Sequence, residues 1–477
     1  MMMRKYVMSM LAVVVALPLQ AAEPATGGAD AATLARIRDA AMHSDWAMTH
    51  LAALTDRIGP RLSGSPQLAA AVQQVAETMR GLGATVQLQP AKVPHWVRGL
   101  EQGELVEYIG RPAGITQKLH LTALGNSAAT PAQGLTARVV VVRDYEELAA
   151  RAAEVRGAIV LFHTRFDQRL ADNGEAGTAY GQSVRYRNGG PSAAAALGAV
   201  AALVRSVGGA EYRLPHTGNT SFKPGQAAIP AAALSAEDAD LVQRLAAQGP
   251  VQLRLLLTPQ TLPDADSFNV IADWRGREKP DEVVIVSGHL DSWDLGTGAV
   301  DDGAGVYAAA GVIEVLRQLN LHPRRSIRFV AWTNEENGGR GGRAYAAALN
   351  GNATTQVAAI ESDEGGGRAL GISAAVQPAS LEALRPVIEA LRPIGATALK
   401  HNAGDAGADI APLQVMGVPG FSPLVDAQTY FHYHHTAADT LDKVEPASLQ
   451  SQVATMAVLA YFLAEMPQPL PRYPIAP

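Results

Sequence analysis

An α/β fold, with a mostly parallel mixed sheet and helices on both faces, is predicted from three observations. Apolar runs of strand length alternate with helical patterns from residue 267 onward. The 477 residues are enough to bury a large core in one or two domains. The content of 48% hydrophobic and 18% charged residues is typical of a globular protein rather than a disordered one.

The N-terminal segment has the pattern of a secretory signal peptide. Arg4 and Lys5 precede an apolar stretch, residues 7–19, which is shorter than the about 20 residues that span a bilayer. A loosely matching small-residue cleavage site then ends at Ala21. We predict a signal peptide over residues 1–21, a secreted or periplasmic location, and no membrane-spanning segment after cleavage. An uncleaved membrane anchor is the alternative.

The rest of the chain divides into three predicted segments. Residues 22–121 form the N-terminal part of the first domain, with helical patterns around a turn-rich loop at residues 58–65. Residues 122–262 contain buried strands and a small-residue helix over residues 193–207, and are predicted to be a smaller inserted α/β domain. Residues 263–477 complete the first domain and carry the candidate functional residues.

The residue types present limit the chemistry of any site. The chain has no cysteine, so disulfides and thiolate ligands are excluded and a bound metal must use His, Asp and Glu. A nucleic-acid surface needs a basic patch, and the formal net charge of −6 argues against one.

Candidate metal ligands stand just after the ends of three predicted strands. The strands cover residues 283–287, 326–332 and 357–360. The side chains that follow them, in the same order, are His289, the pair Glu335 and Glu336, and Asp363. Because ligands of an open α/β sheet bind beyond the carboxyl ends of its strands, we expect these side chains to lie together.

Four residues near the first strand end suggest different roles. The His289 imidazole can bind a divalent ion. Asp291 lies on the same side of an extended segment and can accept the other ring N–H of His289, which fixes the tautomer. Asp301 can bridge two cations through its two oxygens. Asp302 either joins the site or, as an equally good alternative, caps the helix that follows.

The Glu335–Glu336 pair suggests a division of labour. One carboxylate can ligate a metal while the other takes a proton from water. A solvated acidic turn is the alternative. Spacing alone leaves rivals for two further ligands, Asp363 and a histidine near residue 435. The rivals are Glu361, Glu364, His432 and His434, whereas His401 is expected at the surface or in the core.

Zinc suits this combination of imidazole and carboxylate ligands, and cobalt or manganese can substitute for it. Two such ions would clamp an attacking hydroxide and a substrate carbonyl oxygen, and would make hydroxide available near neutral pH. The residues therefore predict a metallohydrolase.

Five motifs together resemble the two-zinc exopeptidases of the bacterial aminopeptidase and glutamate carboxypeptidase group. They are His289-Leu-Asp291, Asp301-Asp302-Gly303, Asn334-Glu335-Glu336, Glu361-Ser362-Asp363 and His435-Thr-Ala-Ala-Asp439-Thr440. The resemblance covers most of the chain beyond the predicted signal peptide. It implies two Zn²⁺ per chain, peptide substrates, a homodimer, and a protease-associated-like fold for the inserted segment.

The resemblance also implies a role for each matched metal ligand. Asp301 would bridge the two metals. His289 and Asp363 would be terminal ligands of different metals, and Glu336 and His435 would likewise be divided between the two. The family histidine precedes Ser or Thr and lies four residues before Asp-Thr, which selects His435 over its neighbours.

Two matched acids have other implied roles. Glu335 would be the general base, which takes a proton from water and passes it to the leaving amine, and Asp291 would support the nearby histidine ligand. The peptide bond between Asp301 and Asp302 is often cis in this family. Residues 402–412 and 426–433 are expected to line the substrate pocket.

The function that follows is an exported two-zinc exopeptidase that hydrolyses unblocked dipeptides or short peptides. An aminopeptidase that acts on longer peptides is the alternative within the class. Hydrolysis of a non-peptide amide and cyclisation of an N-terminal glutamine are further alternatives. A non-catalytic binding protein of the same fold is disfavoured because every ligand position is filled.

Overall fold

The computed structural model describes residues 28–476, so the predicted signal peptide lies outside the described residues. Sixteen strands form two eight-stranded sheets in this part of the chain. In chain order the strands are β1 (Thr85–Val97), β2 (Glu101–Glu107), β3 (Gln117–Leu119), β4 (Leu121–Ala123), β5 (Leu135–Val142), β6 (Ile159–Phe162), β7 (Ala201–Arg205), β8 (Ala231–Leu234), β9 (Gln252–Leu257), β10 (Gln260–Trp274), β11 (Lys279–His289), β12 (Arg325–Trp332), β13 (Gln356–Glu361), β14 (Ala369–Ala375), β15 (Ala398–His401) and β16 (Gly420–Val425).

Fourteen α-helices accompany these strands in the described residues. They are α1 (Ala31–Met42), α2 (Trp46–Arg57), α3 (Pro66–Gly81), α4 (Tyr145–Ala150), α5 (Ala152–Val155), α6 (Gln168–Asp172), α7 (Ala176–Ala196), α8 (Ala236–Ala246), α9 (Ala304–Gln318), α10 (Arg340–Ala348), α11 (Arg385–Leu391), α12 (Ala411–Val415), α13 (Tyr430–Tyr433) and α14 (Pro446–Glu465).

The first sheet has the strand order β1-β10-β12-β11-β13-β16-β14-β15. Its central pairs, β12–β11, β11–β13 and β13–β16, are parallel, whereas β1–β10, β10–β12 and β14–β16 are antiparallel. The predicted mixed α/β sheet with a parallel centre is thereby confirmed.

Successive residues of β11 pack on opposite faces of this sheet, as the two-residue period of a strand requires. Val284 and Val286 join the large core that includes helices α1, α3, α9 and α14. Val283 and Ile285 join a smaller core on the other face, with Tyr345 of α10. The sheet is therefore covered by helices on both faces. Because both faces are buried, the sequences of its parallel strands are continuous apolar runs.

Helix α14 is the one described helix that is long and apolar enough to cross a membrane by length and composition. The helix is largely buried against α1, α9 and the first sheet, so its apolar character serves the protein core.

The second sheet, with the order β3-β2-β9-β5-β6-β7-β8-β4, is formed by the segment between β1 and β10. It begins at Glu101, earlier than the predicted boundary at residue 122, because β2 pairs with both β3 and β9. Both ends of the segment leave the first sheet together, where Val97 of β1 pairs with Gln260 of β10. The protein-domain boundaries themselves stay a prediction.

The predicted helix over residues 193–207 is wrong. Helix α7 ends at Ala196, Gly198 adopts a φ of +85°, and residues Ala201–Arg205 form the buried strand β7. A run of small apolar residues suits a buried strand as well as a buried helix, and the glycine that separates the two elements decides between them.

Candidate metal centre

The three predicted strand ends lie side by side. Strands β12, β11 and β13 are adjacent and parallel, and His289 at the end of β11 pairs with Trp332 at the end of β12. On the other side of β11, Ser287 pairs with Glu361 at the end of β13. The sequence therefore places the residues that follow these strands at one edge of the sheet, as predicted.

Asp301 lies between two histidines and offers one carboxylate oxygen to each. Its Oδ1 is 3.0 Å from Nε2 of His289, and its Oδ2 is 3.2 Å from Nε2 of His435. Asp363 Oδ1 is 3.3 Å from His289 Nε2, and Glu336 Oε2 is 2.9 Å from His435 Nε2. The five predicted metal ligands thus converge into two histidine–carboxylate groups that share Asp301.

The contacts group the ligands differently from the distribution that the resemblance implied, which stays a prediction. His289 and Asp363 fall in the same group, and His435 and Glu336 fall in the other. The order of these residues along the chain does not indicate the two groups. Membership depends on which oxygen of Asp301 the side chain lies near, and that is set by the packing of the strand ends.

The polar atoms of this cluster fit divalent cations. The buried Oδ2 of Asp301 has no hydrogen-bond partner among the described residues. Burial and the Asp301 charge raise the pKa of Glu336 to about 7, and burial raises the pKa of Asp302 and Glu335 well above the usual range. Buried carboxylates without compensating cations are costly, so this donor set suits bound metal.

Asp291 supports His289 in a different way from the one predicted. The ring Nδ1 of His289 is 2.9 Å from the backbone carbonyl oxygen of Asp291, whereas the Asp291 carboxylate is 4.0 Å away. That carboxylate accepts hydrogen bonds from the backbone N–H of Glu335 at 3.0 Å and from Ser63 Oγ at 3.0 Å. It is therefore occupied in holding the loop after β12, and the backbone carbonyl fixes the imidazole instead.

Asp302 acts as a cap and as a tie between two elements. Its Oδ1 accepts a hydrogen bond from the backbone N–H of Gly305 at the start of α9, and its Oδ2 accepts one from the backbone N–H of His289. This is the capping alternative that the sequence left open. The peptide bond between Asp301 and Asp302 is cis.

The adjacent glutamates differ in their contacts. Glu336 accepts a hydrogen bond from the backbone N–H of Trp293 at 3.2 Å and approaches His435 with its other oxygen. The side chain of Glu335 has no hydrogen bond or ion pair among the described residues, and burial together with Asp363 and Glu336 raises its pKa. The Glu336 carboxylate is therefore placed like a metal ligand, whereas the Glu335 carboxylate has no polar partner among the described residues.

Two of the rival residues, Glu361 and His432, are engaged elsewhere, as is His401. Glu361 is buried and accepts hydrogen bonds from the backbone N–H groups of Asp409 and Ile410, so it anchors the loop before α12. His432 Nε2 lies 2.7 Å from Gln168 Oε1, and His401 Nε2 lies 2.9 Å from the carbonyl oxygen of Val376.

His434 is the rival that does reach the centre. Its ring stacks on that of His435 with centroids 3.7 Å apart, and its Nε2 lies 3.3 Å from Asp301 Oδ2. The Nδ1 of His434 is 3.1 Å from Nε2 of His216, which lies in the loop between β7 and β8. Burial and the neighbouring imidazoles lower the pKa of both His216 and His434 well below the ordinary value.

The segment that carries the second sheet contributes further residues that sequence reasoning missed. The backbone N–H of Thr217 donates a hydrogen bond to the backbone carbonyl oxygen of His435 at 2.9 Å. Arg187 Nη1 lies 3.2 Å from His435 Nδ1 and donates to Tyr180 Oη at 2.7 Å. No local pattern could reveal contacts that span more than 200 residues.

Two residues missed as site residues hold the loop that carries Asp301. Asp439 accepts hydrogen bonds from the backbone N–H of Val300 at 2.7 Å and of Asp301 at 3.2 Å. Burial and the charge of Asp301 raise the pKa of Asp439 to about 7. Arg61, from the turn-rich loop, is fully buried and donates to backbone carbonyl oxygens of the same loop.

Known proteins match this chain over the site and well beyond it. Residues 269–460, which include every predicted ligand, match the family model Peptidase family M28. Carboxypeptidase Q from Bos taurus is 37% identical over 424 residues, and carboxypeptidase Q from Homo sapiens is 37% identical over 425 residues. Each alignment covers 88% of this chain and 86% of the relative.

Solved structures share the fold. A peptidase M28 precursor from Shewanella amazonensis SB2B has a TM-score of 0.87 at 35% identity, which covers 94% of this chain and 99% of that chain. A zinc aminopeptidase from Bacillus subtilis has a TM-score of 0.63 at 21% identity, with 86% and 93% of the two chains covered, and this likeness concerns the fold alone. Identity at this level over most of both chains, together with the matched site region, shows that the chain belongs to peptidase family M28.

Proposed function

We propose that this chain is an exported exopeptidase that uses two zinc ions to hydrolyse unblocked dipeptides or short peptides. The observation that carries the proposal is Asp301, placed with one oxygen towards each of two histidine–carboxylate groups. The similarity to proteins named carboxypeptidase Q supports the choice of an exopeptidase.

Five residues would hold the metal ions. His289 and Asp363 would bind one ion, His435 and Glu336 the other, and Asp301 would be shared. When bound, two zinc ions polarise a substrate carbonyl group and lower the pKa of water towards about 7.

Glu335 is the general base in this proposal. Its carboxylate has no hydrogen bond or ion pair in the described structure. Its backbone N–H donates to the Asp291 carboxylate, which holds the residue in place while the side chain stays available for proton transfer. Its raised pKa makes it a stronger base than an ordinary carboxylate, which suits a group that takes a proton from water and returns it to the leaving amine.

The remaining expectations also belong to this proposal. The segment that forms the second sheet would be an inserted protease-associated-like domain that shapes the cleft, and the protein would be a homodimer with peptides as its partners. Export rests on the residue pattern of the N-terminal segment, as does the expectation that no membrane segment remains.

The test is the metal content of the purified protein, followed by peptide hydrolysis before and after chelation. We expect two zinc ions per chain and activity that chelation removes and zinc restores. A dipeptide, its N-acetylated form and a longer peptide should then be compared. Fastest cleavage of the unblocked dipeptide is expected. Faster cleavage of the longer peptide would establish an aminopeptidase instead, and the lack of both metal and chelator-sensitive activity would overturn the proposal.

A further inference from the structure

Arg98 lies where the chain leaves the first sheet, directly after the last residue of β1, and its side chain is only 12% exposed. Its guanidinium makes a two-point contact with Asp294, at 2.8 Å from Nε to Oδ2 and at 2.7 Å from Nη2 to Oδ1. Asp294 belongs to the loop that leads from His289 to Asp301. A paired contact of this kind fixes the orientation of the two groups as well as their distance.

The same guanidinium also contacts the segment that forms the second sheet. Its Nη1 donates to Glu101 Oε1 at 2.7 Å and to the backbone carbonyl oxygen of Ala123 at 2.7 Å. Its Nη2 donates to the hydroxyl of Thr217 at 3.1 Å, and that hydroxyl donates to the same Ala123 oxygen at 3.0 Å. Arg98 therefore joins the loop of Asp294 to the second sheet and to the loop that carries Thr217.

Backbone groups beside these contacts hold the two ligands of one histidine–carboxylate group. Trp293, which precedes Asp294, donates its backbone N–H to Glu336 Oε1 at 3.2 Å. The carbonyl oxygen of Thr217 lies 3.3 Å from Nδ1 of His435. When the Nε2 lone pair of an imidazole binds a metal, Nδ1 carries the ring hydrogen and needs an acceptor of this kind. Both ligands of the group are therefore held from the loops that the guanidinium joins.

The side chain of Trp293 packs against the same part of the molecule. Its ring lies edge-on to that of Trp96 with centroids 6.4 Å apart, and Arg98 Cζ lies 5.1 Å from the centroid of the Trp96 ring. A Cβ at Gly125 would lie 2.2 Å from Cη2 of Trp293, so this close approach requires glycine. The Trp293 ring is also 5.8 Å from the His435 ring. Trp293 is thus seated between the residues around Arg98 and the metal centre.

The other histidine–carboxylate group is held by a different set of contacts. His289 Nδ1 lies 2.9 Å from the carbonyl oxygen of Asp291, and the Asp291 carboxylate accepts a hydrogen bond from Ser63 Oγ at 3.0 Å. In the described part of the chain, no hydrogen bond joins Arg98 or its acceptors to these residues or to Asp363. The contacts of Arg98 therefore support one group and leave the other to its own loop.

We propose that Arg98 is the positioning residue for one metal ion, the ion that His435 and Glu336 would bind. It holds the carbonyl oxygen of Thr217 behind one ligand and, through Asp294, a backbone N–H behind the other. The affinity of this ion therefore depends on the segment that forms the second sheet, whereas the affinity of the other ion does not. The inference rests on the proposed two-metal function.

Zinc titration of the metal-free protein against a chromophoric chelator tests this role, because it gives a Kd for each ion. We expect Arg98→Met to raise one Kd by about 10- to 100-fold, the usual effect of losing an outer partner of a metal ligand, and the other by less than about twofold. Loss of the Arg98 charge alone would favour a cation, so weaker binding reports the lost contacts. The control is Arg205→Met, which should raise neither Kd. Arg205 is also 12% exposed, and its ion pair with Asp240 at 3.0 Å lies within the segment of the second sheet.

Variants that lack one ligand identify the affected ion. Glu336→Gln should keep the ion at His289, and the addition of Arg98→Met should leave the Kd of that ion unchanged. Asp363→Asn should keep the ion at His435, and the addition of Arg98→Met should raise its Kd as in the otherwise wild-type protein. An equal rise of both Kd values in Arg98→Met, or a rise confined to the ion at His289, would overturn the inference even if the protein is a two-zinc peptidase.

Thr217→Val is the milder variant that decides the matter if Arg98→Met does not fold. It keeps the backbone carbonyl group behind His435 and loses only the two hydroxyl contacts. The Kd of the same ion should rise, by a smaller factor than in Arg98→Met, and an unchanged Kd would contradict the positioning role. A wild-type protein that binds no zinc would overturn this inference together with the proposed function.

Discussion

Arg61 Nη2 donates a hydrogen bond of 2.9 Å to the carbonyl oxygen of Gly298, 237 residues further along the chain. The same guanidinium donates to the carbonyl oxygens of Leu290 at 2.8 Å and Thr297 at 2.7 Å. A Cβ at Gly298 would lie 2.8 Å from Arg61 Nη2, so the close approach requires glycine. Among residues 28–476, the guanidinium of this buried arginine hydrogen-bonds only to backbone oxygens, and it thus fastens both ends of the loop that leads from His289 to Asp301.

Replacement of this arginine should destabilise the protein strongly. In Arg61→Met several buried carbonyl groups lose their donor, each at a cost of about 1–3 kcal/mol. We expect the free energy of unfolding in urea to fall by at least about 3 kcal/mol, a large value for a single substitution. Arg57→Met, an exposed position at the end of α2, should change it by less than about 0.5 kcal/mol. Equal stability of the two variants would contradict the fastening role.

Loss of the Glu335 carboxylate should remove turnover without removing metal. Glu335→Gln keeps the backbone N–H that Asp291 holds, so the loop should keep its position. We expect kcat to fall by about 10² to 10⁴-fold, the usual contribution of a general base, with zinc content and thermal unfolding unchanged. The exposed Glu382→Gln variant should behave as wild type. Near-normal kcat in Glu335→Gln would assign the base elsewhere.

Asp301→Ala should lose metal and the stability that metal adds. An ion present at 100 times its Kd stabilises the folded state by about 2.7 kcal/mol. Chelation should therefore lower the unfolding temperature of the wild type, whereas the unfolding temperature of Asp301→Ala should not respond. Asp266→Ala, at an exposed carboxylate of β10, should respond like the wild type. A full metal complement in Asp301→Ala would rule out a bridging role.

The ion pair of Glu282 with the fully buried Arg325 should make stability depend on acid pH. Burial raises the pKa of Glu282, but hydrogen bonds from Arg325 and Lys279 outweigh this and hold the pKa below 4.5. Because the folded-state pKa is lowered, the stabilisation is present above about pH 4.5 and is lost as the pH falls through the folded-state value.

Urea unfolding of Glu282→Gln tests this pH dependence. The variant should be less stable than the wild type by about 2 kcal/mol at pH 7, and the difference should shrink at about pH 3. The neighbouring exposed Asp281→Asn variant is the control. A difference between variant and wild type that does not change with pH would show that Glu282 acts through packing rather than charge.

The strand ends of the first sheet were predictable because each buried parallel strand is a continuous apolar run and each is followed at once by a histidine or an acid. That pattern located His289, Glu335, Glu336 and Asp363. It could not sort the ligands into two groups, because the sorting depends on the side of Asp301 that each strand end reaches.

Residues from the rest of the chain escaped prediction for a different reason. His216 has neither an apolar strand before it nor a recognisable motif around it, and its partner His434 is 218 positions away. The Asp291 carboxylate was predicted to face His289, but three donors on two other loops hold it instead. Contacts of this kind are set by how separate elements pack, which local sequence does not encode.

The pairing of Val97 with Gln260 means that a short turn could join β1 directly to β10 and bypass the whole intervening segment. Such a shortened chain would keep an unbroken first sheet, the Asp301 loop and all five proposed ligands. It would nevertheless lack the carbonyl oxygen of Thr217 behind His435 and the imidazole of His216 behind His434. Any replacement for this segment would therefore have to do more than connect β1 to β10. It would also have to place a carbonyl oxygen behind His435 and a hydrogen-bond partner behind His434.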